Sequence, residues 1–295
     1  MARNPYQAWV ERFVTDLRAG EAIGTAQMSD RGLADPSADR PKVVVFAPHP
    51  DDEMMTGGLP LRLLRERHFA VVVVAVTLGS RVDRRAARWG ELEAACASIG
   101  FGAATPDRAG LEGITLAGRE RDPAGWAAGV EAVARVLAAE RPQIVFLPHA
   151  ADWNGTHVGV HYLVVEAMRR LPALICQAVE TEYWFSMAAP NLMIESTPSD
   201  VADLIAALSL HVGEVARNPY HLRLPAGMID SVRRGAELVG GQGGAAPQFG
   251  FATLYRLRGW KAGQFHDVLD GGRSVASGES LEQLFPADGG VGSWR

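Results

Sequence analysis

The chain has 295 residues, 47% hydrophobic and 21% charged, with a formal net charge of -5. This is an ordinary globular composition with enough apolar material for one large core. The acidic balance argues against a phosphate-backbone partner, which needs clustered Lys and Arg, and the longest apolar stretch, Phe69 to Val76, is too short to span a bilayer.

Tyr6, Trp9, Val10, Phe13, Val14 and Leu17 recur at helical spacing and predict an N-terminal helix that lays one stripe on the body. Glu11 and Asp16 interrupt that segment, so no secretory leader is expected and cytoplasmic residence follows as the default. A polar linker runs from Ser29 to Arg40. Strands and helices then alternate: strand Lys42–Phe46, helix from Gly57 to Arg67, strand Phe69–Val76, helix from Arg84 to Ile99, helix Pro123–Glu140, strand Gln143–Leu147, helix Thr156–Arg170. Such alternation predicts an α/β fold, a Rossmann-like doubly wound and mostly parallel sheet. The second half reads as strands at Val179–Met187, Leu192–Glu195 and Phe251–Leu257 and a helix at Ser199–Val215, forming a smaller C-terminal lobe that covers the sheet and shapes the pocket. The expected organisation is a helix and linker over 1–40, a main domain over 41–260 (a core to 175 and a pocket-shaping lobe from 176), and an extension over 261–295 whose tail from Ala287 frays. Cys96 and Cys176 lack CxxC partners and are expected as reduced core residues.

The run His49-Pro50-Asp51-Asp52-Glu53 directly follows the first strand. It sets one imidazole and three carboxylates at a strand's C-terminal end, where open α/β sheets bind ligands. Imidazole and carboxylate both ligate a divalent ion such as zinc, and adjacent carboxylates allow one to bind metal while the other handles protons. A third ligand must come from another strand end, and the loop after Leu147 offers His149, His157 and His161. His157 and His161 have the spacing of a zincin pair, but Val158 stands where that motif needs glutamate. The plain alternative is that the acidic run caps a helix.

Pro48-His49-Pro50-Asp51-Asp52-Glu53, with Gly57-Gly58 behind it and Asn154-Gly155-Thr156-His157 later, closely resembles the PIG-L or LmbE-like zinc-dependent de-N-acetylases. The resemblance spans roughly residues 41 to 260 and is specific in its first motif. It implies a Rossmann-like fold, a zinc ion (or another divalent metal such as Fe2+) on His49, Asp52 and His157, and Asp51 as general base. It also implies release of acetate from an N-acetylglucosamine-bearing small molecule or glycoconjugate. Asn154 is the expected oxyanion donor. Many relatives have histidine there; an amide donates a hydrogen bond but cannot titrate, so a reaction that needs a protonated imidazole would draw it from His161 or His149. Arg88, in an Arg-x-x-Glu pattern with Glu91, is expected to contact a sugar hydroxyl or to form a plain ion pair; of the aromatics Trp153, Tyr183, Trp184 and Tyr220, which either stack on a sugar ring or pack in the core, Trp153 is the one expected to stack. Glu53 is expected to support rather than ligate. His68, His211, His221 and His266 are read as structural, and Gly240–Gln248 as a flexible loop or lid near the pocket. Homo-oligomer formation is compatible with the sequence. The competing readings are a metal-dependent hydrolase of another amide or ester and a non-catalytic sugar-binding relative.

Overall fold

Six consecutive residues of strand β1 (Lys42–Ala47) pair in parallel with β2 (Ala70–Ala75) on one side, and β1 pairs with β4 (Ile144–Pro148) on the other. In this computed structural model, which describes residues 4–25 and 40–286, these strands form the middle of a nine-stranded sheet. With β3 (Gly102–Ala104), β5 (Cys176–Thr181), β6 (Leu192–Ser196), β7 (Phe251–Lys261) and β9 (Arg273–Val275), the order is β3-β2-β1-β4-β5-β7-β6-β9, and β8 (Gln264–Asp267) pairs with β7. From β3 to β5 every pairing is parallel, whereas β7 is antiparallel to both β5 and β6.

Val43, Val45 and Ala47 of β1 belong to one core and Val44 and Phe46 to the other, because successive side chains of a strand point to opposite faces. Helices α3 (Gly58–Arg67), α4 (Arg85–Ile99) and α8 (Pro198–Leu208) cover the first face, and α6 (Pro123–Glu140) and α7 (Gly155–Arg169) the second. The sheet is thus doubly wound as the sequence predicts. β1 lies between crossovers that leave in opposite directions, so the ends of β1 and β4 open at the topological switch point.

Several expectations need correction. The strands of the second half enter the same sheet edgewise and do not cover it; β7, with β5 on one side and β6 on the other, makes that join. The strand expected to reach Met187 ends at Thr181, and residues 182–187 form a loop. The single helix expected over Ser199–Val215 is α8 and then α9 (Val212–Arg217), broken where His211 turns its buried side chain inward. Helix α10 (Leu224–Leu238) occupies a stretch for which no helix is expected. In α1 (Gln7–Glu21) no residue is buried, and Trp9 is 62% and Phe13 49% exposed; the expected stripe meets the body only at its far end, where Leu17 is half-buried and a Cβ on Gly20 would lie 3.1 Å from Leu222. The linker before Arg40 and the tail from Ala287 lie outside the described residues. No helix among the described residues is long and apolar enough to cross a membrane.

The expected helix start at Gly57 resolves into a short α2 (Asp52–Met55), a turn, and α3. Gly57 has φ +88°, and a Cβ there would lie 2.3 Å from Thr253 Oγ1 of β7. Only glycine fits both the backbone and the space. On α3, the buried Arg62 donates to the carbonyls of Glu195 (3.3 Å), Ala276 (3.1 Å), Ser277 (3.4 Å) and Glu279 (2.8 Å) while paired with Glu66 at 2.6 Å. It is the tie between α3 and the segment after β9. Arg62→Leu is expected to leave these buried acceptors unpaired and to cost about 3 kcal/mol, read as a fall in the urea midpoint; an unchanged midpoint would refute this tie.

Candidate active site

The loop after β1 carries His49, α2 begins at Asp52, and the first turn of α7 carries His157. These three offer one ligand atom each, all within 4.8 Å of one another. Asp52 Oδ2 is the hub: it accepts from the His49 backbone N–H at 2.9 Å and lies 3.2 Å from His49 Nδ1 and 3.3 Å from His157 Nε2. Burial disfavours ionising Asp52, but the His157 and His49 imidazoles outweigh it and hold the carboxyl well below its usual range.

His157 is fully buried, and among the described residues neither ring nitrogen makes an aligned hydrogen bond, although a carboxylate stands near each. Burial opposes the imidazolium, yet Asp52 and Asp152 push its pKa up to about 10. The site therefore favours positive charge beside Nε2, which a divalent cation would supply. On the far side, Asp152 Oδ1 lies 3.7 Å from Nδ1, the carboxylate–histidine arrangement that orients a ligating imidazole. Asp152 is itself fixed by the backbone N–H groups of Asn154 (2.8 Å) and Trp184 (3.2 Å). Two imidazoles and a carboxylate fit zinc and Fe2+ alike.

Asp51 sits beside this group with φ 116° and ψ -31°, a conformation that costs an L-residue of order 1–3 kcal/mol. Its N–H donates to Glu53 Oε2 at 2.8 Å, and Glu53 Oε1 accepts from His211 Nε2 at 2.6 Å, both side chains fully buried. The carboxylate of Asp51 accepts from Tyr220 Oη, and Arg88 Nη2 stands 3.6 Å from Oδ1 while donating to the Pro50 carbonyl at 2.9 Å. Burial, with the neighbouring Asp52 charge, raises the Asp51 pKa to about 8. Glu53 thus supports Asp51.

The remaining expected residues have other partners. Arg88 does not pair with Glu91; it faces Asp51, with Nε 3.9 Å from Glu214, while Glu91 accepts from Gly213 N–H at 3.2 Å. Asn154 Oδ1 caps α7 by accepting from Thr156 N–H at 2.9 Å. His161 Nδ1 donates to the Pro148 carbonyl at 2.8 Å, and burial lowers its pKa, so the ring is neutral with Nε2 as an acceptor. His149 Nε2 donates to the Phe185 carbonyl at 2.8 Å. Trp153 is 76% exposed on the same loop. None of residues 240–248 lines the cleft beside the site. His211, read as structural, and Tyr220, named only among the aromatics that could stack on a sugar, are instead partners of the acidic run, of Glu53 and Asp51 respectively. His211 stands 158 positions from its Glu53 partner, and no local pattern links them.

Residues 44–168 match the family model described as PIG-L: GlcNAc-PI de-N-acetylase. No curated protein matches the chain. Among solved structures, the N,N'-diacetylchitobiose deacetylase from Pyrococcus horikoshii is 14% identical over 89% of this chain and 95% of its own, with a TM-score of 0.53. The teicoplanin deacetylase Orf2 in its zinc-inhibited form is 13% identical over 73% of this chain and 97% of its own, with a TM-score of 0.53. The 4-carboxy-2-hydroxymuconate hydratase GalB from Pseudomonas putida is 18% identical over 74% and 95%, with a TM-score of 0.50. At these identities the likeness is one of fold.

The backbone at Asp51 can be tested apart from chemistry. Asp51→Gly is expected to be about 1–2 kcal/mol more stable to urea than Asp51→Ala, because only glycine adopts positive φ freely. Equal stabilities would place Asp51 in an ordinary conformation.

Proposed function

We propose that this chain, whose residues 44–168 match the PIG-L (GlcNAc-PI de-N-acetylase) family model, is a metal-dependent hydrolase of that family. It removes the N-acetyl group from an N-acetylglucosamine-bearing small molecule or glycoconjugate and releases acetate. The observation that carries this reading is the convergence of His49, Asp52 and His157 beside a buried aspartate that is outside the ligand set.

A divalent ion, zinc or alternatively Fe2+, held by His49, Asp52 and His157 would act as a Lewis acid on the acyl oxygen and make a water molecule acidic. Asp51 takes one proton from the attacking water as its oxygen bonds to the acyl carbon. When the C–N bond breaks, Asp51 returns that proton to the departing nitrogen, giving a free amine and acetic acid, which ionises to acetate. Tyr220 donates to Oδ2 of Asp51, which leaves Oδ1 for the proton. Arg88 serves as a positioning residue for that carboxylate rather than as a sugar contact. With its oxygen anchored on Thr156, Asn154 retains its Nδ2 donors for the acyl oxygen. His161, neutral and turned to Pro148, buttresses the loop after β4 rather than supplying a proton.

Metal analysis and acetate release on glucosamine derivatives test the assignment together. Asp51→Asn is expected to bind metal as the unaltered protein does while turnover falls about 10²- to 10⁴-fold. His157→Ala is expected to lose metal and activity together, and chelation of the unaltered protein to abolish activity reversibly on Zn2+ or Fe2+ return. Loss of metal in Asp51→Asn would exchange the roles of the two aspartates, and full metal content in His157→Ala would remove His157 from the ligand set. Activity confined to other amides or esters would favour the alternative hydrolase.

A further inference from the structure

A cleft of about 310 Å³ opens beside the metal group. It is continuous with the site, because Tyr183 and Tyr220 line it. The Tyr183 ring meets His157 edge-on with centroids 4.9 Å apart, and Tyr220 donates to Asp51. Leu224 and the buried Met228 of α10 form the far wall. Trp184 and Phe185 form the outer lip, 51% and 57% exposed.

The loop bearing these two aromatics is held in place. The Phe185 carbonyl accepts from His149, the Trp184 N–H donates to Asp152, and the Met187 N–H donates to Glu182 Oε1 at 2.7 Å. Two of these anchors come from the loop after β4, which leads into α7 and His157. Adjacent exposed aromatics on an anchored backbone beside the site offer an apolar surface to a ligand at reduced ordering cost. The acidic groups of the cleft are already engaged: Arg234 bonds Glu182 at 3.0 and 2.7 Å and Asp230 at 3.0 Å. These pairings occupy the acceptors that the hydroxyls of a second sugar would use, and the other polar groups of the lining are Ser186, Arg223, Ser231 and Thr253.

From this geometry we infer that the substrate carries an apolar aglycone, aromatic or alkyl, which lies on Trp184 and Phe185 against α10 while the acetamido group faces Asp51. The inference rests on the deacetylase reading. Acetate release by the purified metal-bearing protein is compared on methyl, phenyl and octyl N-acetyl-β-glucosaminides and on N,N'-diacetylchitobiose. The phenyl or octyl glycoside is expected to show kcat/KM at least about tenfold above both the methyl glycoside and chitobiose. In the Trp184→Ala, Phe185→Ala double variant the ratio to the methyl glycoside is expected to fall to within about threefold. Equal values across the panel, a preference for chitobiose, or a ratio untouched in the double variant would overturn the inference and leave the deacetylase reading standing. Acetate from none of the four would overturn both.

Discussion

The parallel pairing of β1 with β4 is the constraint on which the site depends. It brings the chain at His49 and the chain at His157 to the same edge of the molecule, and it is set by the core. Residues of β1 alternate between two separate cores, so a slip of one position would reverse every one of them. Such a slip would also carry His49 and Asp52 about 3.3 Å along the strand, more than a coordination shell tolerates. Burial of Val43 to Ala47 therefore does two things: it stabilises the sheet and it fixes the separation of ligands drawn from distant parts of the chain.

Three consecutive carboxylates at a buried strand end are costly unless each finds its own counterpart. Asp52 has two imidazoles, Glu53 has His211, and Asp51 has Tyr220 with Arg88 nearby. These counterparts come from α4, α7, the turn before α9 and the segment before α10, so the charged centre also ties the two halves of the chain together. The positive φ of Asp51 follows from the same arrangement. Its N–H is held by Glu53 and its carboxylate by Tyr220, and an α2 that starts immediately afterwards leaves no residue in which to spread the bend. Strain of this kind persists only where surrounding contacts over-determine the backbone.

The first half was largely legible in the sequence because its signals are local. β-branched strands buried on both faces, amphipathic helices between them and a polar motif at a strand end each announce themselves within about ten residues. His49, Asp52 and His157 come together as that reading required. The second half was harder. Helix α10 follows a turn-rich stretch and exposes much of its surface, and the run after Val179 keeps a strand-like pattern through Tyr183 and Trp184 although the chain leaves the sheet at Thr181. His211 carries no neighbouring ligand residue, and its meaning comes only from a partner on α2. The stripe on α1 shows the complementary limit: spacing reveals an apolar face but not that the body meets it only near Leu17 and Gly20.

The topology explains why the less regular half nevertheless supplies so many residues at one place. β7 is antiparallel to β5, and β6 is antiparallel to β7, so β6 runs in the direction of β1 and β4. The chain therefore leaves β1, β4, β5 and β6 at the same end of the sheet. From those exits come, in turn, Asp51 and Asp52, then His157, then Tyr183 to Phe185, then His211 and Tyr220. The sheet fixes His49, Asp51, Asp52 and His157 through the first two exits and leaves the loops at the other exits to shape what is presented beside them. A deacetylase and a hydratase both have this fold, as expected if the shared strands set where chemistry happens while side chains at the later exits decide on what.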